Sequence, residues 1–334
     1  VHPLDRHWQR LTWLSAALLP LAGLFALVCA GRRFAYRRGW LRTARLPAKV
    51  VVVGNISAGG TGKTPMVIWL VHTLRARGFT PGVVSRGYGG TGALTEVSAD
   101  ADPGVVGDEP VLLARRTGCP LWVGPDRAGA ARALLTRHPG VDVLVSDDGL
   151  QHYGLARDFE IAVVDASRGL GNGLPLPAGP LREPASRLAS VDAIVVNGQD
   201  PGPAGDSRRF GMALEGSSFV NLLDPARRCD PADFAGRRVH ALAGIGNPQR
   251  FFSHLRGLGI NFAAHPFADH HRYSPHDLDF AGADAVIMTE KDAIKCAHFA
   301  RENWWVLPVE ARVDPLLADL IVRRFRTPRG HQTA

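Results

Sequence analysis

The chain has 334 residues, 46% of them hydrophobic, and a formal net charge of +8. That length and apolar content suffice for two domains with buried cores and exclude wholesale disorder. Its four cysteines, Cys29, Cys119, Cys229 and Cys296, are widely separated with no CxxC pair, which argues for a reducing compartment and against a structural zinc site.

The excess charge is confined to one end. Residues 1–49 carry nine basic side chains and one acid, Asp5, leaving 30 of the 39 basic and 30 of the 31 acidic residues for the rest of the chain. A formally neutral body gives no basic footprint for a nucleic acid, and none is expected as a partner. The basic residues flank Leu11–Ala30, LTWLSAALLPLAGLFALVCA, which contains no charge. About 20 apolar residues cross a bilayer core as a helix. Seven basic residues follow within Arg32–Lys49, as expected beside an anionic cytoplasmic leaflet. A signal peptide fits poorly, because the basic cluster follows the apolar run. Pro20 and Gly23 weaken the run and leave a buried helix as the alternative. The reading is a membrane anchor, spanning or interfacial, with the remaining chain on the cytoplasmic side.

Beyond the anchor, apolar runs alternate with helical segments, the pattern of a parallel α/β sheet. Strands are predicted at Val50–Val53, Gly82–Ser85, Leu121–Val123, Val143–Ser146, Ile161–Val164 and Ala193–Val196. The intervening helices are predicted at Pro65–Arg77, Glu109–Thr117 and Arg127–Thr136. Val- and Ile-rich runs without alternation suit strands covered on both faces. Residues 199–236, with QDPGPAGDSRR and a short strand at Ser218–Leu222, read as a connector. A second α/β domain at 237–334 then has strands at Val239–Ala243, Ala285–Met288 and Trp304–Val309, with helices near Pro248–Leu258 and 312–326. The division expected is therefore anchor and basic flank 1–49, nucleotide domain 50–198, connector 199–236 and second domain 237–334.

The strongest local signal is VVVVGNISAGGTGKTP, Val50–Pro65: a hydrophobic strand, a glycine-rich turn and a helix opened by Lys63 and Thr64. Glycines let backbone N–H groups curl around phosphate oxygens, and a helix N-terminus favours anionic charge. Ser57, Ala58, Gly59, Gly60, Thr61, Gly62, Lys63 and Thr64 form the candidate phosphate loop. Lys63 is placed to reach the β- and γ-phosphates of ATP and the Thr64 hydroxyl to ligate Mg²⁺. The general pattern asks for glycine at position 57, where this chain has serine.

A carboxylate for the metal should end a neighbouring strand, and VDVLVSDDG offers Asp147 and Asp148 at a strand's C-terminal end. Turn formation is the competing role for this pair, and Asp165 ends the next apolar run. Other phosphate-loop classes fit less well. Partitioning ATPases carry a lysine before the two glycines, where Ala58 stands here, and the string Thr289-Glu290-Lys291-Asp292 has the wrong spacing for guanine recognition.

Seven motifs occur in order: GNISAGGTGKTP, SRGYGG (Ser85–Gly90), GDEP (Gly107–Pro110), SDDGLQH (Ser146–His152), LPAGPLREP (Leu176–Pro184), FADHHRY (Phe267–Tyr273) and TEKDAIK (Thr289–Lys295). Together they closely resemble the tetraacyldisaccharide 4′-kinase family of lipid A biosynthesis, over nearly the whole chain. That family's loop also tends to carry a hydroxyl residue where Ser57 stands. The resemblance implies a phosphate-loop sheet domain and a smaller α/β domain joined by a short β hinge. It implies MgATP as phosphoryl donor and a lipid-linked disaccharide as acceptor, at the cytoplasmic face of the bacterial inner membrane, with no obligate protein partner. It further implies Asp108 of GDEP as catalytic base acting with His270, and Asp147, Asp148 and Glu183 as metal or nucleotide-site residues. The residues alone leave Asp108 equally able to cap a helix, and His271 a rival to His270. Arg86 and Arg182 are equally able to meet an anionic substrate group or to brace their loops, and Trp304 and Trp305 suit the core. A membrane-tethered ATPase or switch that modifies no small molecule is the competing function.

Overall fold

The computed structural model describes residues 5–199 and 206–326; Asp200–Gly205 of the connector lie outside the described residues. Three helices come first: α1 (Asp5–Trp8), α2 (Trp13–Ala17) and α3 (Leu19–Arg37). The expected single helix over Leu11–Ala30 is thus divided and displaced. Thr12 caps α2 by accepting the Ser15 N–H, and Pro20 stands in the first turn of α3. Proline lacks the N–H needed to prolong α2, and it suits the start of a new helix. Helix α3 is the one described helix long and apolar enough to cross a membrane, and little of it is buried.

The first sheet follows: β1 (Lys49–Gly54), α4 (Lys63–Ala76), β2 (Pro81–Ser85), β3 (Thr95–Glu96), α5 (Pro103–Val106), α6 (Asp108–Thr117), β4 (Leu121–Val123), α7 (Arg127–Arg137), β5 (Val143–Asp147), β6 (Phe159–Asp165), β7 (Ala193–Asn197) and β8 (Arg209–Glu215). The second lobe holds β9 (Phe219–Asn221), β10 (Arg228–Cys229), β11 (Val239–Ala243), α8 (Pro248–Gly257), β12 (Ala263–Pro266), β13 (Ala285–Thr289), α9 (Glu290–Cys296) and β14 (Trp304–Leu307). The chain ends with β15 (Glu310–Val313) and α10 (Pro315–Arg326).

The first sheet has nine strands in the order β15-β8-β7-β6-β1-β5-β2-β4-β3. It is parallel except at its edges, where β3 opposes β4 and β15 opposes β8. Successive valines of β1 go to opposite faces, as the pleat requires. Val51 and Val53 join Met66, Leu70 and Leu113 on the side covered by α4 and α6, while Val50 and Val52 join Ala130, Leu134 and Leu144 on the side covered by α7. The second sheet, β10-β9-β14-β13-β11-β12, has a parallel centre with β9 and β10 added antiparallel. Trp304 and Trp305 are buried in it, as a core role requires.

The expected boundary at 237–334 needs correction. Residues 310–326 leave the second lobe and return to the first, where β15 pairs with β8, and Val313, Leu317, Ile321 and Phe325 pack into the core beneath α4. The expected connector also contains β8, which continues the first sheet through its parallel pairing with β7. Apolar burial drives both assignments: α10 presents Leu317, Ile321 and Phe325 at helical spacing, and the first sheet supplies the surface that covers them.

Candidate active site

Register places the first elements of the site. β1 runs parallel to β5 with Val53 opposite Asp147, so the turn after β1 and the Asp147-Asp148 pair emerge at the same end of the sheet. In open α/β sheets ligands bind outside the carboxyl ends of the strands. Gly59 and Gly62 take left-handed backbone conformations, and Gly62 caps α4. A Cβ on Gly62 would fall 2.4 Å from Asn197 Nδ2, which donates to the Thr61 carbonyl at 3.0 Å. Glycine is therefore demanded there both by φ and by space. Lys63 and Thr64 are the first two residues of α4. Ser57 is bridged to Leu181, and the Ala58 N–H donates to Pro180 O at 2.7 Å. Of the eight loop residues expected to cradle phosphate, Ala58 thus has its amide committed to the protein.

The two adjacent aspartates diverge. Asp148, at φ +47, lies 3.6 Å from Lys63 Nζ and accepts from Arg182 Nη1 at 3.0 Å. Burial opposes its charge, but Lys63 and Arg182 hold its carboxyl down to about 2. Asp147 is buried and accepts from Ser85 Oγ at 2.9 Å. Burial, then Glu109 and Asp148, push its carboxyl up to about 6. Arg127, buried at the start of α7, donates to the Asp147 carbonyl at 3.2 Å.

Glu183 is placed differently from the expected metal set. Its carboxylate accepts from Gln151 at 3.0 Å and from the Tyr153 hydroxyl, with Arg187 Nε at 3.8 Å. This network ties LREP to SDDGLQH beside the end of β1, since Gln151 also donates to Asn55 O. Asp165 is likewise occupied: Arg250 reaches it at 2.6 Å and Asn247 at 3.2 Å, both from the second lobe. The same seam brings Gly246 against Gly60, close enough that a Cβ on Gly246 would lie 2.3 Å from Gly60 N.

On the first lobe, facing the second, Asp108 opens α6 at N1, with Gly107 at the cap position. Its Oδ1 accepts from Glu109 N at 3.0 Å and lies 3.3 Å from His270 Nδ1, while Oδ2 is buried with no hydrogen-bond partner among the described residues. Burial disfavours the charge on Asp108, but His270 and Lys291 hold its carboxyl at about 2. His270 sits at φ +58 with its ring 4.9 Å from that of Tyr88. His271 instead lies 3.6 Å from Asp277 and packs on Phe267 and Tyr273. Arg86 is exposed, and Arg182 braces Asp148.

A family model for tetraacyldisaccharide-1-P 4′-kinase matches residues 14–326. The chain belongs to this kinase family. Among similar tetraacyldisaccharide 4′-kinases, that of Chromobacterium violaceum is 54% identical, covering 98% of this chain and 99% of its own. That of an Azoarcus species is 52% identical over 97% and 95%. The crystal structure of LpxK from Aquifex aeolicus in complex with ATP superposes with a TM-score of 0.79 at 30% identity, covering 93% of this chain and 99% of that one. The kinase-family match extends through both lobes and the returning C-terminal segment.

Two residues of this kinase's cleft escaped the sequence reading of roles. Lys291 stands within TEKDAIK and lies 3.0 Å from Glu109, 3.1 Å from Asp269 and 3.4 Å from His270 Nε2. His152, the last residue of SDDGLQH, is held neutral by burial and by Arg127 and Arg86, which bring it down to about 4. Both motifs were visible, but the signal within them was one of identity, with no chemistry attached to either residue.

Proposed function

We infer that this kinase transfers the γ-phosphate of ATP to the 4′-hydroxyl of a tetraacyldisaccharide 1-phosphate in lipid A biosynthesis, working at the cytoplasmic face of the inner membrane. The observation that carries the reading is the meeting of Asp108 and His270 across the cleft, Asp108 standing on the same lobe as a phosphate loop that ends in Lys63 and Thr64 at the start of α4. Phosphoryl transfer to an alcohol is mostly positioning and charge neutralisation. The amides of Gly59–Thr64 and Lys63 would hold the phosphates, and Asp108, kept ionised at neutral pH, would take the proton of the attacking hydroxyl.

Magnesium fits the donor set. Asp147 is a carboxylate raised by burial and then by its acidic neighbours, the condition that a cation relieves, and the Thr64 hydroxyl would add a second hard oxygen ligand. Asp147 and Thr64 would hold the ion, with Asp148 kept to Lys63 and Arg182. When bound, the ion neutralises charge on the transferred phosphoryl group. The exposed apolar face of α3 and the basic residues after it support work at a membrane surface, where the acyl chains of the acceptor remain.

The test is transfer of label from γ-labelled ATP to tetraacyldisaccharide 1-phosphate in detergent micelles, for the wild type, Lys63→Ala and Asp108→Ala. Labelled lipid with the wild type, and a loss of roughly 10²-fold or more in each variant, is expected. ATP hydrolysis with no labelled lipid would overturn the kinase reading.

A further inference from the structure

Lys291 occupies a peculiar position for a lysine. It lies on α9 of the second lobe with its ammonium nearly enclosed, between Glu109 of the first lobe at 3.0 Å and Asp269 of its own lobe at 3.1 Å. Asp108 Oδ2 is 4.0 Å away and His270 Nε2 is 3.4 Å away. An ammonium has three donors and no acceptor. The nitrogen it faces must therefore present a lone pair, so Nε2 of His270 is the unprotonated one. The ring's proton then sits on Nδ1, which is 3.3 Å from Asp108 Oδ1. Oδ1 already accepts from Glu109 N, and Oδ2 has no hydrogen-bond partner among the described residues.

We propose that Lys291 is a positioning residue for the transfer: by occupying Nε2 it fixes His270 in the Nδ1–H tautomer, which anchors Asp108 through Oδ1 and reserves Oδ2 for the acceptor's proton. This rests on the reading of Asp108 as base. In the step itself, the acceptor hydroxyl oxygen bonds to the γ-phosphorus as the bond from that phosphorus to the β,γ-bridging oxygen breaks. ADP leaves with that electron pair, and the hydroxyl proton passes to Oδ2. His270 keeps its proton throughout, orienting the carboxylate. Because Oδ2 is out of contact with water, and the second lobe covers the carboxylate with His270 at Oδ1 and Lys291 4.0 Å from Oδ2, the sugar gains access when the cleft opens and is held when it recloses.

The charges around the dyad are Glu109 from α6, Lys291 and Lys295 from α9 and Asp269 from its own loop, with the Tyr88 ring packed on His270. Replacing Lys291 by methionine removes one positive charge from this set and keeps the aliphatic stem. In Lys291→Met, kcat for labelled lipid should fall roughly 10- to 100-fold with KM for ATP little changed, and the acid limb of kcat should move to higher pH. Lys291→Arg should restore most of kcat and return the limb. An unchanged limb in Lys291→Met, with activity lost in both variants alike, would make the lysine merely structural and overturn the proposal. A second readout needs no variant. Nitrogen-15 shifts of His270 in the wild-type enzyme should report protonation at Nδ1, and a proton at Nε2 would sink the assignment. Full activity in Asp108→Ala would instead remove the underlying base reading, whatever Lys291→Met does.

Discussion

At the end of β5, burial together with Glu109 and Asp148 raises Asp147 to about 6, while the more exposed Asp148 is held to about 2 by Lys63 and Arg182. The two shifts have opposite consequences for stability. Against an unfolded value of 3.8, Asp148 adds stability at neutral pH that is lost as pH falls from about 4 towards 2. Asp147 binds its proton more tightly in the folded chain. It therefore costs stability as pH rises from about 4 to 6, and the cost is fully present above that. Asp147→Asn should accordingly raise the melting temperature of the ligand-free protein at pH 7, on the order of 1 kcal/mol or roughly 2–4 °C. The same change should abolish phosphoryl transfer, since the amide still accepts from Ser85 but supplies no charge to a cation. Calorimetry at pH 7 and pH 5 checks the first part, because the gain should shrink at the lower pH. A carboxylate that destabilises the fold it sits in is the expected mark of a functional position.

Gly246, in the turn between β11 and α8, is where the second lobe bears on the phosphate loop. A methyl group there would meet backbone at Gly60 N and Cα, at 2.3 and 2.9 Å, with no flexible side chain to yield. Gly246→Ala should therefore raise KM for ATP by roughly tenfold or more, while circular dichroism and thermal melting change little. The central strands of both sheets were legible in the sequence because Val- and Ile-rich runs covered on both faces need no partner to be recognised. β8, β12 and β15 were not. RFGMALE and EARV carry mixed polarity and lie at or next to an edge, and AAHP closes an edge strand with proline. The site divides the same way. Loop, Asp108 and the aspartate pair sit in short continuous motifs, whereas Lys291 acquires its meaning from Glu109 and Asp269, which the chain folds around it. The engagement of Glu183 by Tyr153, Gln151 and Arg187 was equally hidden, since charge type gives no hint of which partner claims a carboxylate.

On the scale of the whole molecule, the N-terminal helices attach to the catalytic body by a narrow set of contacts, and most of α3 faces outward. Trp8 donates to Pro177 O at 3.0 Å, Asn172 donates to His7 O at 3.1 Å, and Tyr36 packs against Tyr153. Leu24, Leu27 and Val28 of α3 are 58%, 70% and 61% exposed. Replacing these three by serine should leave the melting temperature within about 1–2 °C of wild type, because no packed surface is lost. It should also release the protein from sedimenting anionic vesicles, and the residual binding should weaken with salt as the flanking arginines are screened.

The return of the C-terminal segment gives the junction between the lobes an unusual construction. The polypeptide leaves the first sheet after Glu215 and re-enters it at Glu310, and these two residues face each other in the β8–β15 pairing. Two chain crossings side by side would act as the paired pins of a door, permitting a swing about one axis and resisting twist. One swing would then carry Gly246 to Gly60, where it now lies, and with the same travel His270 and Lys291 to Asp108. Nucleotide and acceptor would then share a single mechanical coordinate. Whatever one ligand gains by drawing the door shut, the other gains by the same factor, as reciprocity of coupled binding requires.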